Sequence, residues 1–213
     1  MIKVHHLNNS RSQRILWLLE ELNIPYEVVR YQRDAVTSLA PPELKKIHPL
    51  GKSPVISDGE LVVAESGAII DYLVRKYGQG RLAPADSSPD YVRYSQWLHF
   101  AEGSAMLPML LALYVGRLGE AGAPLQPRIM SEIANHLSYM NHSIEKGGYF
   151  MGAEFSAADV QNSFVLEAAR MRGLLKDYPN LADLVERLQA RPAYKRALES
   201  GGPYALASAI PAR

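Results

Sequence analysis

Cysteine is absent from the 213 residues. No disulfide, thiolate zinc site, CxxC redox pair or cysteine nucleophile can exist in this chain, and any thiol chemistry needs a thiol carried in by a ligand. Charge of one sign is also lacking. The 23 Lys and Arg against 22 Asp and Glu leave a net +1, which gives no electrostatic reason to expect nucleic acid or an anionic membrane as partner. The start MIKVHHLNNS has no apolar signal core, so nothing points to secretion. The uncharged run Gly103 to Gly116 is shorter than the roughly 18 residues that cross a bilayer, and Pro108 interrupts it. The six histidines form no metal pattern: His5 and His6 point to opposite faces of a strand, His136 and His142 lack ligand spacing, and HExxH does not occur. These absences leave a soluble, cytoplasmic globular protein without a metal, long enough to bury its own core.

What is present divides in two. Ile2 to His5 reads as a strand, the turn Asn8-Asn9-Ser10-Arg11-Ser12 as a helix opening, and Ser12 to Leu22 as a helix too apolar for a solvated face. Asn23-Ile24-Pro25 stops it, and Tyr26 to Tyr31 reads as a second strand. A connector with a short helix at Glu43 to Ile47 leads to Ser53–Ser57 and Glu60–Ala64, a hairpin about Asp58-Gly59. Ser66 to Tyr77 is an amphipathic helix. A crossover helix joins parallel strands and a hairpin joins antiparallel ones, so the sheet is mixed. The Gly/Pro/Ser-rich stretch Gly78 to Pro89 is the linker, and only helices follow: Asp90 to about Gly119 (bent or broken near Pro108), Pro124 to Lys146, Ser156 to Arg172, Asn180 to Ala190 and Pro192 to Ser200. The division is residues 1–80, a linker at 81–89, and an all-helical 90–213.

Three local patterns suit an extended, charged ligand. A hydroxyl or amide at Asn9 or Ser10 lies near a helix N-terminus, where free N–H groups and the macrodipole favour an anion. In Gly51-Lys52-Ser53-Pro54-Val55, a cis bond at Pro54 would leave the backbone of Val55 to pair with a peptide-like ligand while Lys52 meets a carboxylate. In Glu65-Ser66, Ser66 and the helix start suit a carboxylate and Glu65 an ammonium. Capping explains Ser66 equally well, but it does not explain Glu65.

Those residues, in the segments NNSRSQR with LLEEL, HPLGKSPVISDG and AESGAIIDYL, resemble the thioredoxin-like domain of the cytosolic glutathione S-transferase superfamily, in its serine- or asparagine-type bacterial and fungal branch. The helical half adds Gly148-Tyr149-Phe150-Met151-Gly152 and Phe155-Ser156-Ala157-Ala158-Asp159, which resemble the family's buried capping box, Ser156 capping and Asp159 reaching back. The resemblance covers nearly the whole chain. It implies an α/β N-terminal thioredoxin-like domain plus an all-α C-terminal domain. It further implies glutathione held by Glu65, Ser66, Pro54, Val55 and Lys52, with His48 a weaker contact. A further basic residue of many relatives, about nine positions before His48, falls on Leu39 and Ala40 and is missing. Ungapped counting places Asn9 at the activating position, and a one-residue shift places Ser10 there; Tyr26 and Tyr31 lie too far along the chain. Phe100, Met106, Met109, Leu110 and Tyr114 are expected to line the site for an apolar electrophile. A homodimer is implied. Glutathione transfer leads; peroxide or disulfide reduction through bound glutathione, and a non-catalytic binding module, remain alternatives.

Overall fold

The order strand, helix, strand, connector, hairpin, helix is what the first third of the chain builds in the computed structural model, which describes residues 1–207. β1 (Ile2–Leu7), β2 (Tyr26–Tyr31), β3 (Val55–Asp58) and β4 (Leu61–Ala64) form one sheet in the order β2-β1-β3-β4. β1 runs parallel to β2, Ile2 opposite Tyr26, because the crossover helix α1 (Ser12–Leu22) lies between them. β3 is antiparallel to both β1 and β4. The hairpin turn sits one residue later than expected: Asp58 pairs with Leu61, leaving Gly59-Glu60 as the loop, with Gly59 at φ +62°. Asp58 stays in the strand because its carboxylate accepts from the Tyr72 hydroxyl at 2.6 Å and Lys76 Nζ at 2.9 Å, both on α2 (Ser66–Tyr77).

α1 is buried on almost every side, which its sequence demands. Asn23 ends it in the left-handed region at φ 54°, its N–H returning to Leu19 and Glu20 carbonyls, and Pro25 prevents resumption. The helix packs on β1, on α2 and on two later helices, Ala157–Met171 and Pro192–Gly201.

The rest is helical: α3 (Asp90–Phe100), α4 (Met106–Gly116), α5 (Gln126–His142), α6 (Ala157–Met171), α7 (Pro179–Ala190) and α8 (Pro192–Gly201). The break expected near Pro108 lies upstream of it, as a wide π turn at Ala101–Ala105 between α3 and α4. Pro108 has no N–H for the Ser104 carbonyl and its ring crowds that oxygen, so the preceding turn widens. The helical run Asp90–Gly116 spans 27 residues, long and apolar enough to cross a bilayer by length and composition alone. In this fold its inner stripe of Tyr94, Trp97, Ala101, Ala105, Met106 and Met109 is buried in the core, with α3 packed on α6. That core is one continuous cluster running from Ile2 and Val4 of the sheet to Tyr204 and Leu206.

α6 opens with the expected capping box. Asp159 Oδ2 accepts from the Ser156 N–H at 2.8 Å and the Ser156 hydroxyl at 3.0 Å, and its Oδ1 accepts from the Phe150 N–H at 2.9 Å. Burial lifts the Asp159 carboxyl to about 6 although these donors favour its charged form.

Candidate active site

A cleft of about 330 Å³ opens where the β1–α1 turn, the segment before β3 and the start of α2 meet α4. Each wall follows from a local feature. The Ser53–Pro54 bond is cis, and β3 begins only at Val55 because a proline cannot donate to the ladder. Val55 stands inside the sheet, opposite His5 of β1 and Ala64 of β4, so its N–H and C=O belong to the ladder. This corrects the expectation that Val55 offers them to a ligand. Ser53, one residue before the proline, makes no backbone–backbone hydrogen bond among the described residues outside the ladders. Its hydroxyl is used inward, donating to the His5 carbonyl at 2.8 Å, while its N–H and C=O have no partner among the described residues.

Glu65 sits at φ 66°, a conformation that costs an L-residue about 1–3 kcal/mol and concentrates at ligand clamps. It is exposed, lines the cleft, and its carboxylate has no partner among the described residues. Ser66 follows at the start of α2, buried, with its oxygen accepting from Arg14 and its proton left to give. The same cleft is lined by Lys52, exposed, and by His48, whose buried Nδ1 has no partner among the described residues. Leu110 and Tyr114 of α4 close the apolar side.

The remaining expected residues lie elsewhere. Ser10 is only 5% exposed and is absent from the cleft wall; its oxygen lies 2.8 Å from the Ser12 hydroxyl and accepts the Ser12 N–H at 3.2 Å. Ser12 in turn meets His6 Nδ1 at 2.9 Å. Burial, helped by Arg30, pushes His6 down to about 4, so this inner chain is neutral. Asn9, in the left-handed region at φ 49°, faces the opposite way and accepts the Ala205 N–H at 2.8 Å. Met106 and Met109 are core residues, 4% and 1% exposed, because the π turn rotates them inward. Phe100 packs on Trp97, His136 and Tyr139 instead of the cleft.

Two residues were missed. Arg11 lines the cleft, and Glu102, delivered by the π turn, also lines it and grips Arg11 Nε through both carboxylate oxygens at 2.8 Å. Glu102 is shared with Arg14, and these two guanidinium groups hold its carboxyl below the usual range despite burial. Arg11 stands in the middle of NNSRSQR and was within reach of a sequence reading. Glu102, 91 residues away, gave no local signal.

Residues 1–75 match the family profile of the glutathione S-transferase N-terminal domain, and residues 123–201 that of a glutathione S-transferase C-terminal domain. The chain is 37% identical to glutathione S-transferase 3 of Schizosaccharomyces pombe over 93% of its own length and 87% of that protein. The chain belongs to the glutathione S-transferase family. Glutathione S-transferase 1 of Saccharomyces cerevisiae is 32% identical over 93% of this chain and 94% of that one. The crystal structure of a glutathione S-transferase from Actinobacillus pleuropneumoniae superposes with a TM-score of 0.87 at 34% identity, covering 99% of this chain and 98% of the other. A sphingomonad glutathione S-transferase complexed with glutathione shares the fold, with a TM-score of 0.79 at 22% identity over 94% of this chain and 98% of that one. The sheet with α1 and α2 is thus the thioredoxin-like domain of a glutathione S-transferase, and the helices α3 to α8 are its C-terminal partner. The enzyme is a glutathione transferase.

Proposed function

We propose that this cleft binds reduced glutathione and presents its sulfur to a small apolar electrophile held against α4, in a cytoplasmic homodimer that detoxifies such compounds. The observation that carries the reading is the strained Glu65, with its unpaired carboxylate, beside the start of α2. An α-amino acid end fits there: its ammonium meets Glu65, and its carboxylate meets the Ser66 hydroxyl and the free N–H groups of the helix start. The peptide part of the ligand lies along Ser53, whose N–H and C=O pair with it. The terminal carboxylate at the far end meets Lys52, with His48 beside it. The amino-terminal and carboxy-terminal charges of glutathione thus find groups of opposite sign in the cleft wall.

A thiol of ordinary pKa, about 8.5, is mostly protonated at neutral pH, and the thiolate is the nucleophile. The thiol proton passes to solvent, the sulfur lone pair forms a carbon–sulfur bond, and the leaving group departs with its bonding electrons. The electrophile rests on Leu110 and Tyr114, next to Leu107 and Leu111, which are 53% and 43% exposed. Such an apolar shelf selects by size and hydrophobicity rather than by hydrogen bonds.

The test is turnover by the purified chain with reduced glutathione and either an aryl halide or a hydroperoxide. Thioether formation with halide release is expected. Hydroperoxide reduction without any thioether would replace transfer by peroxide reduction. Light scattering of the same preparation should give twice the chain mass, and a single-chain mass would remove the homodimer.

A further inference from the structure

The β1–α1 turn offers three side chains to a sulfur in the cleft, and their surroundings differ. The Ser10 oxygen is buried and already engaged with the Ser12 hydroxyl and N–H. Asn9 faces Ala205. Arg11 alone lines the cleft, with Ser53, Pro54 and Ser66. Its Nε is fixed by both oxygens of Glu102, and its guanidinium carbon lies 4.7 Å from the centre of the Phe164 ring. Its two terminal nitrogens donate to no acceptor among the described residues. Glu102 also pairs with Arg14, so one carboxylate faces two guanidinium charges and the cluster keeps a positive charge.

Resting on the glutathione site proposed above, we infer that Arg11, rather than Ser10 or Asn9, is the catalytic residue that holds the glutathione sulfur as its thiolate. The guanidinium keeps its own protons and donates a terminal N–H to the sulfur, while the thiol proton leaves to solvent. A planar donor clamped on one edge by Glu102 and on one face by Phe164 needs no reorganisation when the sulfur becomes charged. The other charged groups around that position are Arg14 behind Glu102, Arg33 against the Asn8 and Asn9 carbonyls of the same turn, Glu65 at the start of α2, and Lys52 with His48 in the segment before β3. Arg14, Arg33 and Lys52 act with Arg11, Glu65 and Glu102 against it.

The experiment is titration of the bound thiol by its thiolate ultraviolet absorbance, on the full chain as wild type, Arg11→Ala, Arg11→Lys and Ser10→Ala. Binding of S-methylglutathione, which has no thiol to ionise, is measured alongside. Arg11→Ala should raise the thiol pKa by about one unit or more and lower the rate near neutral pH about tenfold, the loss shrinking at high pH. S-methylglutathione should bind both proteins equally. Arg11→Lys, which keeps the charge and loses the clamped fork, should fall between them, and it guards against a folding defect in the alanine variant. Ser10→Ala should leave the thiol pKa in place. The inference is overturned by an unchanged thiol pKa in Arg11→Ala, by a rise in Ser10→Ala alone, or by equal loss of S-methylglutathione binding. A wild type that binds neither ligand overturns the glutathione site itself.

Discussion

Two helix starts, α1 and α6, solve the same problem in opposite ways. Each leaves N–H groups without helical partners. At α6 the answer is local: Asp159 reaches back to Ser156 and Phe150, all within ten residues, and the end is sealed. At α1 the N-cap residue Arg11 makes no side-chain cap, the Ser10 hydroxyl oxygen takes only the Ser12 N–H, and the other groups that fix the helix come from far along the chain. Arg14, fully buried, ties α1 to the Gln161 carbonyl of α6, to Ser66 of α2 and to Glu102 of the π turn. The end sealed by its own sequence carries stability. The end held open by distant residues carries the cleft.

The largest effect that tests this contrast is Arg14→Ala. Removing one partner of a buried, hydrogen-bonded ion cluster should destabilise the fold by about 3–5 kcal/mol in urea denaturation. A cost below about 1 kcal/mol would mean that α1 is held by packing alone.

The two starts also respond to acid with opposite sign. His6, behind the α1 turn, is pushed from 6.5 down to about 4, so its contribution is full above 6.5 and is lost as the pH falls toward 4. Asp159 is lifted from 3.8 to about 6, so its contribution is full below 3.8 and is lost as the pH rises through 6. Each shift corresponds to about 3 kcal/mol, and in the wild type they largely offset. His6→Asn should make stability fall as the pH rises from 4 to 6.5, and Asp159→Asn should make it rise. Denaturation midpoints across that range check both, and two variants with the same slope would break the contrast.

The smallest stability effect is expected at Glu65. Glu65→Gly relieves the positive φ and should gain up to about 1 kcal/mol of stability while losing glutathione affinity. Thermal melting together with calorimetry separates the two. A variant that loses stability and keeps its affinity would show that Glu65 is structural.

The same contrast explains what could be read from the sequence. Ser156 and Asp159 were legible because a capping box is a four-residue pattern. The spans Ser12–Leu22, Tyr26–Tyr31 and Ser66–Tyr77 were legible because periodicity and stop signals are local. Glu65, Ser66 and Lys52 stood out as candidates, and they line the cleft, because their types sit beside a helix start or a strand-opening proline. The residues that lie outside the cleft wall depended on contacts that no local pattern displays. Helical spacing gave Met106, Met109 and Phe100 an apolar stripe, but the π turn that sets which way the stripe faces has no pattern of its own. Arg11 and Glu102 are a pair only because the π turn between α3 and α4 brings Glu102 to the start of α1. Ser10 looked free until Ser12 and His6 closed around it.

The most direct measurement is calorimetric titration of the wild type and Glu65→Gln with reduced glutathione. One glutathione per chain is expected for the wild type, with affinity about tenfold weaker in Glu65→Gln, the worth of one charge-assisted contact at about 1.4 kcal/mol. No binding by the wild type, or equal binding by the variant, would contradict the account.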